Sequence, residues 1–277
     1  MEDKKRKYHL DFSLILAICF LSLILLMVLF PRIMSFGRDP LMVDPANKLA
    51  LPSGDHIFGV DEYGRDIWTR VVFGARSTVL VGMGSACLAV LFGVPLGLIA
   101  GYYGHIVDSA IMRILDAILA FPTFLLAILV MTIFKVGVLG LIITIGIVNF
   151  PRFARIVRGN VLSLKEREFV EANKSAGAPG PYIMFCTILP NCMSSILVQY
   201  TLLVATAIII EAGMSFLGLG IAPPAPAWGS MLFSAQTYAG RNPLYAIVPG
   251  VVIFLVVMCV NILGNTLRDY FDPVKID

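Results

Sequence analysis

Side chains able to do covalent chemistry are few in this chain and scattered along it. The histidines are His9, His56 and His105, far apart in sequence. Three of the five cysteines, Cys19, Cys87 and Cys259, lie inside apolar runs, where cysteine acts as a small packing residue. The other two, Cys186 and Cys192, stand six positions apart, which matches no familiar metal spacing. There is no G-x-x-x-x-G-K-[ST] phosphate loop, no H-E-x-x-H zinc helix and no G-x-S-x-G nucleophile turn. No catalytic group, metal site or cofactor is therefore expected.

The polar residues that stand out are those set into apolar sequence. Asp116 and Glu211 are the carboxylates within such runs, each near one end, and Glu211 follows three isoleucines. A proton-coupled carrier usually keeps several ionisable groups at mid-membrane, so ion coupling is the weaker reading. Glu211 precedes the turn Gly213-x-Ser215 and could cap it by accepting backbone N–H bonds. Asn261 and Asn265, about one turn apart, suit hydrogen bonding between helices. Gly93, Gly97 and Gly101 recur every four residues, a stripe that lets another helix approach closely, either within this chain or from a partner.

The elements that carry these residues follow from composition. The chain has 277 residues, 58% hydrophobic and 14% charged, against about 25% charged in an ordinary soluble domain. That is too little charge to coat a globule, and a surface facing lipid needs no such coat. Phe12–Phe30 and Ser77–Gly101 contain no charged residue and meet the length needed to cross a bilayer as helix. Four further spans are expected at Ile114–Phe134, with Pro122 inside, at Val136–Pro151, short and extendable to Val157, at Met193–Gly213 and at Leu244–Gly264. The result is an all-α integral membrane protein with about six spans.

Lys4, Lys5, Arg6 and Lys7 precede the first span, and no small-x-small cleavage pattern follows it. A retained anchor with its N-terminus in the cytoplasm is expected, and six crossings return the C-terminus to the same side. Thirteen of the 21 basic residues then fall inside, in keeping with the positive-inside rule. Residues 1–76 are expected to hold the anchor and an extracytoplasmic segment, with a short helix near Asp66–Phe73, and 77–277 the membrane domain. The net charge of +3 gives no field for nucleic acid, and no such partner is expected.

The loop between the fourth and fifth spans is unusual. Ser163-x-x-Glu166 is a capping-box pattern that predicts a helix start. Phe169, Ala172 and Ala176 give that helix one apolar side, and Gly177 and Pro179 stop it. A second short helix is expected over Tyr182–Leu189, ending at Pro190. The apolar stripe must pack on the chain's own spans or on a partner protein, and the pattern alone does not choose.

The spacing Glu171-Ala172-x-x-x-x-Gly177, followed by Ile188-Leu189-Pro190, resembles the "EAA" loop of bacterial ABC-importer permeases. The segment His56-x-x-Gly59-Val60-Asp61-x-x-Gly64-Arg65-Asp66 is similar to the H-x-x-G-T-D-x-x-G-R-D segment of dipeptide/oligopeptide permeases of the C type. Phe121-Pro122, Pro151-Arg152-Phe-Ala-Arg155 and Glu211-Ala-Gly-Met-Ser215-Phe-Leu-Gly218-Leu-Gly220 add to the likeness, which covers roughly 12–277. Asn173 stands where the family has a third alanine, and Val60 where it has threonine.

The resemblance implies a type I ABC-importer transmembrane domain in a bacterial inner membrane, with the 163–190 loop as its cytoplasmic coupling helices. It implies a second homologous permease subunit, two ATPase subunits, identical or different, and an extracytoplasmic substrate-binding protein. Glu171, Ala172, Gly177, Ile188, Leu189 and Pro190 become candidates for ATPase coupling. Glu211, Ser215, Asn261, Asn265, Gly93 and Gly97 become candidates for the channel or for helix packing, Glu211 either at the outer mouth or as a cap. Di- or oligopeptides are the expected cargo, with nickel or a metal chelate as the alternative within the family. An ion-coupled secondary carrier and a membrane-embedded enzyme are the alternatives of other classes.

Overall fold

The structure, a computed structural model, describes residues 12–134 and 137–271. The basic run 4–7, His9, Lys135, the fourth span's expected start at Val136, and the terminal Asp272, Pro273 and Lys275 lie outside the described residues. α1 (Phe12–Leu29) is uncharged along its length and is followed by a short turn of helix, α2 (Pro31–Met34).

α3 (Ile67–Tyr103) has 37 residues, a length of about 55 Å at 1.5 Å per residue. The sequence predicts a short helix at Asp66–Phe73 and a separate span from Ser77, but the two are one. Gly74-Ala75-Arg76 contains no proline to interrupt the hydrogen-bond ladder, and Asp66 caps the whole rod by accepting from the Thr69 backbone N–H at 2.8 Å. Pro95 lies inside α3 and Gly104, at φ +65°, ends it.

The expected single span Ile114–Phe134 is two helices. α4 (His105–Leu119) and α5 (Thr123–Met131) meet at an 88° bend around Phe121-Pro122. Pro122 disfavours helical backbone at the residue before it and itself turns extended, at ψ 125°. α6 (Val138–Leu164) runs well past the expected end and carries Pro151 without stopping. Because α6 continues through Ser163, the predicted capping box does not start a helix. α7 (Glu168–Ser175) starts instead after extended Arg167.

α8 (Gly180–Phe216) joins the predicted short helix 182–189 and the span 193–213 into one rod, so Pro190 does not end a helix. The turn Ile183–Ile188 widens to π geometry, with the Leu189 N–H bonded to the Met184 carbonyl, and the wider turn makes room for the Pro190 ring. α9 (Trp228–Tyr238) and α10 (Leu244–Phe271) complete the described chain. Among the described residues, five helices are long and apolar enough to cross a membrane, and six crossings result if α4 and α5 count as one broken span.

α3 and α6 pack with their backbones close together. A Cβ placed on Gly97 would fall 2.5 Å from the Ala154 carbonyl oxygen and 2.8 Å from the Val157 Cβ. Gly93 and Gly101 press in the same way on Phe153 and Val161. The small-residue stripe is thus engaged within the chain.

Candidate functional site

At the C-terminal end of α3 sits the predicted coupling loop. Val170 of α7 is fully buried and joins Leu98, Val161, Ile183, Ile188 and Cys192 in one apolar cluster. The predicted stripe of Phe169, Ala172 and Ala176 does not pack on the chain's own helices, for all three are exposed. Val170, on another side of α7, is the anchor. Glu171 and Ala172 face outward as well.

α7 ends in a Schellman motif. The Ala178 N–H bonds to the Asn173 carbonyl at 3.0 Å, the Gly177 N–H bonds to the Lys174 carbonyl at 3.0 Å, and Gly177 lies at φ +79° in open space. The Asn173 carboxamide donates to the Phe169 carbonyl at 2.9 Å and reaches the Thr187 hydroxyl at 3.4 Å, tying α7 to the π turn. Of the remaining coupling candidates, Ile188 is buried, Leu189 half-buried and Pro190 exposed. Arg158 holds Asp108 with Nε and Nη2 at 2.5 and 2.6 Å, and Lys165 donates to the Gly101 carbonyl at 3.2 Å, fixing α4 and α6 around this end.

At the opposite end of α3, the His56–Asp66 segment folds into an ion-paired cap, and each residue type in it has a role. Gly59 and Gly64 take φ +78° and +81°, where only glycine is unstrained. Fully buried Asp61 accepts from Arg65 Nε at 2.6 Å and from the backbone N–H groups of Tyr63 and Arg65 at 2.9 Å, with Arg70 Nε 3.4 Å away. Asp66 caps α3 with one oxygen and with the other meets His56 Nδ1 at 2.9 Å and Arg38 at 3.4 Å. In the neighbouring loop Asp44 is held below the usual carboxylate range, chiefly by the Asn47 side-chain hydrogen bond and also by the Ala46 N–H.

Glu211 is fully buried, and its geometry corrects the capping expectation. It lies within α8 and is held by hydroxyl groups rather than backbone N–H groups: Thr78 of α3 donates at 3.2 Å and Ser215 at 2.8 Å. Asn261 differs too, since its amide donates to the Val257 carbonyl of its own helix at 2.9 Å, one turn back, instead of to another helix. Asn265 is exposed.

One polar feature escaped the sequence reading. Asn149 and Arg152 on α6 share a groove with Gln199 and Thr206 on α8. Gln199 also lines a larger cavity of about 590 Å³, together with Ser195 and Arg268 of α10. The clue lay in spacing: 149 and 152, like 195, 199, 202 and 206, fall on single helical faces. Separate helices must be docked before those faces meet.

Residues 93–276 match the family described as binding-protein-dependent transport system inner membrane component. The chain is 46% identical over 230 residues to the dipeptide transport system permease protein DppC of Alkalihalophilus pseudofirmus, covering 83% of this chain and 76% of that protein. It is 40% identical over 217 residues to the di/tripeptide transport system permease protein DppC of Pseudomonas aeruginosa, covering 78% and 72%. It is also 40% identical over 268 residues to the glutathione transport system permease protein GsiD of Escherichia coli, covering 97% and 88%. Among solved structures, the inward-facing MetNI methionine ABC transporter superposes with a TM-score of 0.61 at 18% identity, over 73% of this chain and 97% of that one, a likeness of fold. With its multi-pass helical fold, its exposed loop after α6 and these relatives, the chain belongs to the inner membrane components of binding-protein-dependent transport systems.

Proposed function

We propose that this ABC-importer permease carries di- or oligopeptides into the cell, and that its 168–190 loop receives the drive from an ATPase subunit. The observation that carries the coupling role is the two-sided character of the loop. Phe169, Tyr182 and Phe185 stay 40%, 51% and 47% exposed, while Val170, Ile183 and Ile188 root the loop in the cluster shared with α3 and α6. Apolar surface left in water costs about 25 cal/mol per Å². Phe169 lies outside the spanning helices and Tyr182 and Phe185 on the first turns of α8, and such a surface at the end of the bundle suits a protein partner. Glu171, Ala172 and Gly177 lie on the free side, while Ile188, Leu189 and Pro190 carry motion of the loop into α8.

The excess of basic residues favours placing this loop and both termini in the cytoplasm. The ion-paired cap at the other end of α3 then meets the substrate-binding protein outside. Residues 1–66 supply the anchor and that outer segment, and α3 onward the permease domain, because α3 runs unbroken across the expected boundary at 76/77. A second, related permease completes the channel in the bacterial inner membrane. ATP is hydrolysed on two separate ATPase subunits, identical or different, and this chain needs no cofactor of its own. Relatives named for dipeptides, di/tripeptides and glutathione favour peptide over nickel or a metal chelate.

The test is reconstitution of the permease pair, ATPases and binding protein in liposomes. Uptake of labelled dipeptide should need internal and external components together with ATP. Uptake driven by an ion gradient without ATP would replace this reading with a carrier mechanism.

A further inference from the structure

The groove between α6, α8 and α10 contains a polar group that helix packing does not explain. Asn149 is 1% exposed. Its amide nitrogen donates to the Ile145 carbonyl at 2.8 Å, which fixes the orientation of the carboxamide. Its oxygen is buried without a hydrogen-bond partner, and Asn149 lines a small pocket of about 50 Å³ with Arg152, Gln199 and Thr206. A buried acceptor left unpaired is destabilising, and lipid has no donor to offer it. Arg152 gives one N–H to the Thr123 hydroxyl at 2.9 Å and keeps other guanidinium donors. Further along the groove stand Ser195 and a second cation, Arg268.

We propose that this groove is a contact station for peptide in transit, with Asn149 Oδ1 accepting a peptide N–H and Arg152 holding the cargo carboxylate. The inference rests on the peptide-importer reading and names the residues that read the cargo inside the membrane. An extended peptide offers N–H donors, carbonyl acceptors, a terminal carboxylate and a terminal ammonium. The groove offers partners for the first three: the Asn149 acceptor, the two-way amide of Gln199, and the cations Arg152 and Arg268.

The experiment uses the complete importer in proteoliposomes with labelled dipeptide. In a background with the five cysteines replaced, Gln199→Cys is treated with a charged methanethiosulfonate. The expected result is labelling that slows when dipeptide and ATP are both supplied. Asn149→Leu and Arg152→Gln should each lower the peptide moved per ATP hydrolysed by about tenfold, the effect of one lost hydrogen bond to a charged or buried partner. A Gln199→Cys thiol unreactive in every state means that a partner helix seals the groove, and overturns the proposal. So does labelling that peptide never slows, with peptide per ATP unchanged in both variants. Wild-type liposomes that import no dipeptide overturn the underlying peptide reading instead. The labelling result stands even if Asn149→Leu fails to fold.

Discussion

The Thr78 hydroxyl on α3 donates to the Glu211 carboxylate on α8 at 3.2 Å, joining two long helices through a fully buried acid. Ser215 supplies the second hydrogen bond at 2.8 Å. Glu211→Gln keeps one accepting oxygen and turns an NH2 donor toward the other hydroxyl, which can rotate to accept it, so most transport should be retained. Glu211→Leu leaves them without a partner, at a cost of about 1–3 kcal/mol, and should lower both thermal stability in detergent and uptake. If Gln is as damaging as Leu, the negative charge itself is required.

Gly177→Val should give a permease present at normal level that binds its ATPase weakly and does not transport. A β-branched residue at φ +79° is strained, by about 1–3 kcal/mol, yet the site is open, so the helices should still assemble. Membrane abundance, ATPase co-purification and uptake decide the matter. Normal co-purification with normal uptake would remove the loop from the coupling role.

Gly97 should respond in the opposite way. There the obstacle is Ala154 and Val157 of α6, not backbone strain. Gly97→Val should force α3 and α6 apart, at about 1–3 kcal/mol or more, and reduce the amount of folded protein in the membrane. Size-exclusion profiles and abundance test it. A well-folded Gly97→Val protein would mean that the helices can separate freely.

Asp61→Ala should be the most destabilising change in the cap. It removes the nearest carboxylate from Arg65, 6% exposed, and Arg70, 4% exposed, leaving Glu62 3.6 Å from Arg65 and the Pro40 and Pro224 carbonyls on Arg70. Breaking a buried pair costs about 3–5 kcal/mol. Limited proteolysis should then cut within 38–66 while the α3–α6 packing persists. Resistance equal to wild type would show that the other hydrogen bonds hold the cap alone.

What was legible in the sequence was whatever depends on neighbours in the chain. Uncharged runs marked the spans, the four-residue glycine period marked the α3 seam, and Gly177 marked the end of α7. Relations between distant segments were not legible. The exposed Phe169 and buried Val170 are adjacent, and only the docked position of α7 decides which turns inward. By sequence Pro122 is expected inside one span and Pro190 at a helix end, yet Pro122 makes an 88° bend and Pro190 is absorbed by a π turn. The Thr78–Glu211 contact and the Asn149 groove likewise exist only once α3, α6 and α8 are packed.

The position of Pro95 within α3 has a mechanical consequence. The proline removes one rung of the hydrogen-bond ladder, while Gly93, Gly97 and Gly101 clamp the rod to α6 on both sides of it. At 1.5 Å per residue the stretches on either side of Pro95 measure about 42 Å and about 12 Å. The close seam with α6 therefore acts as a splint across the missing rung, holding the two stretches in one line where the ladder alone is weakest.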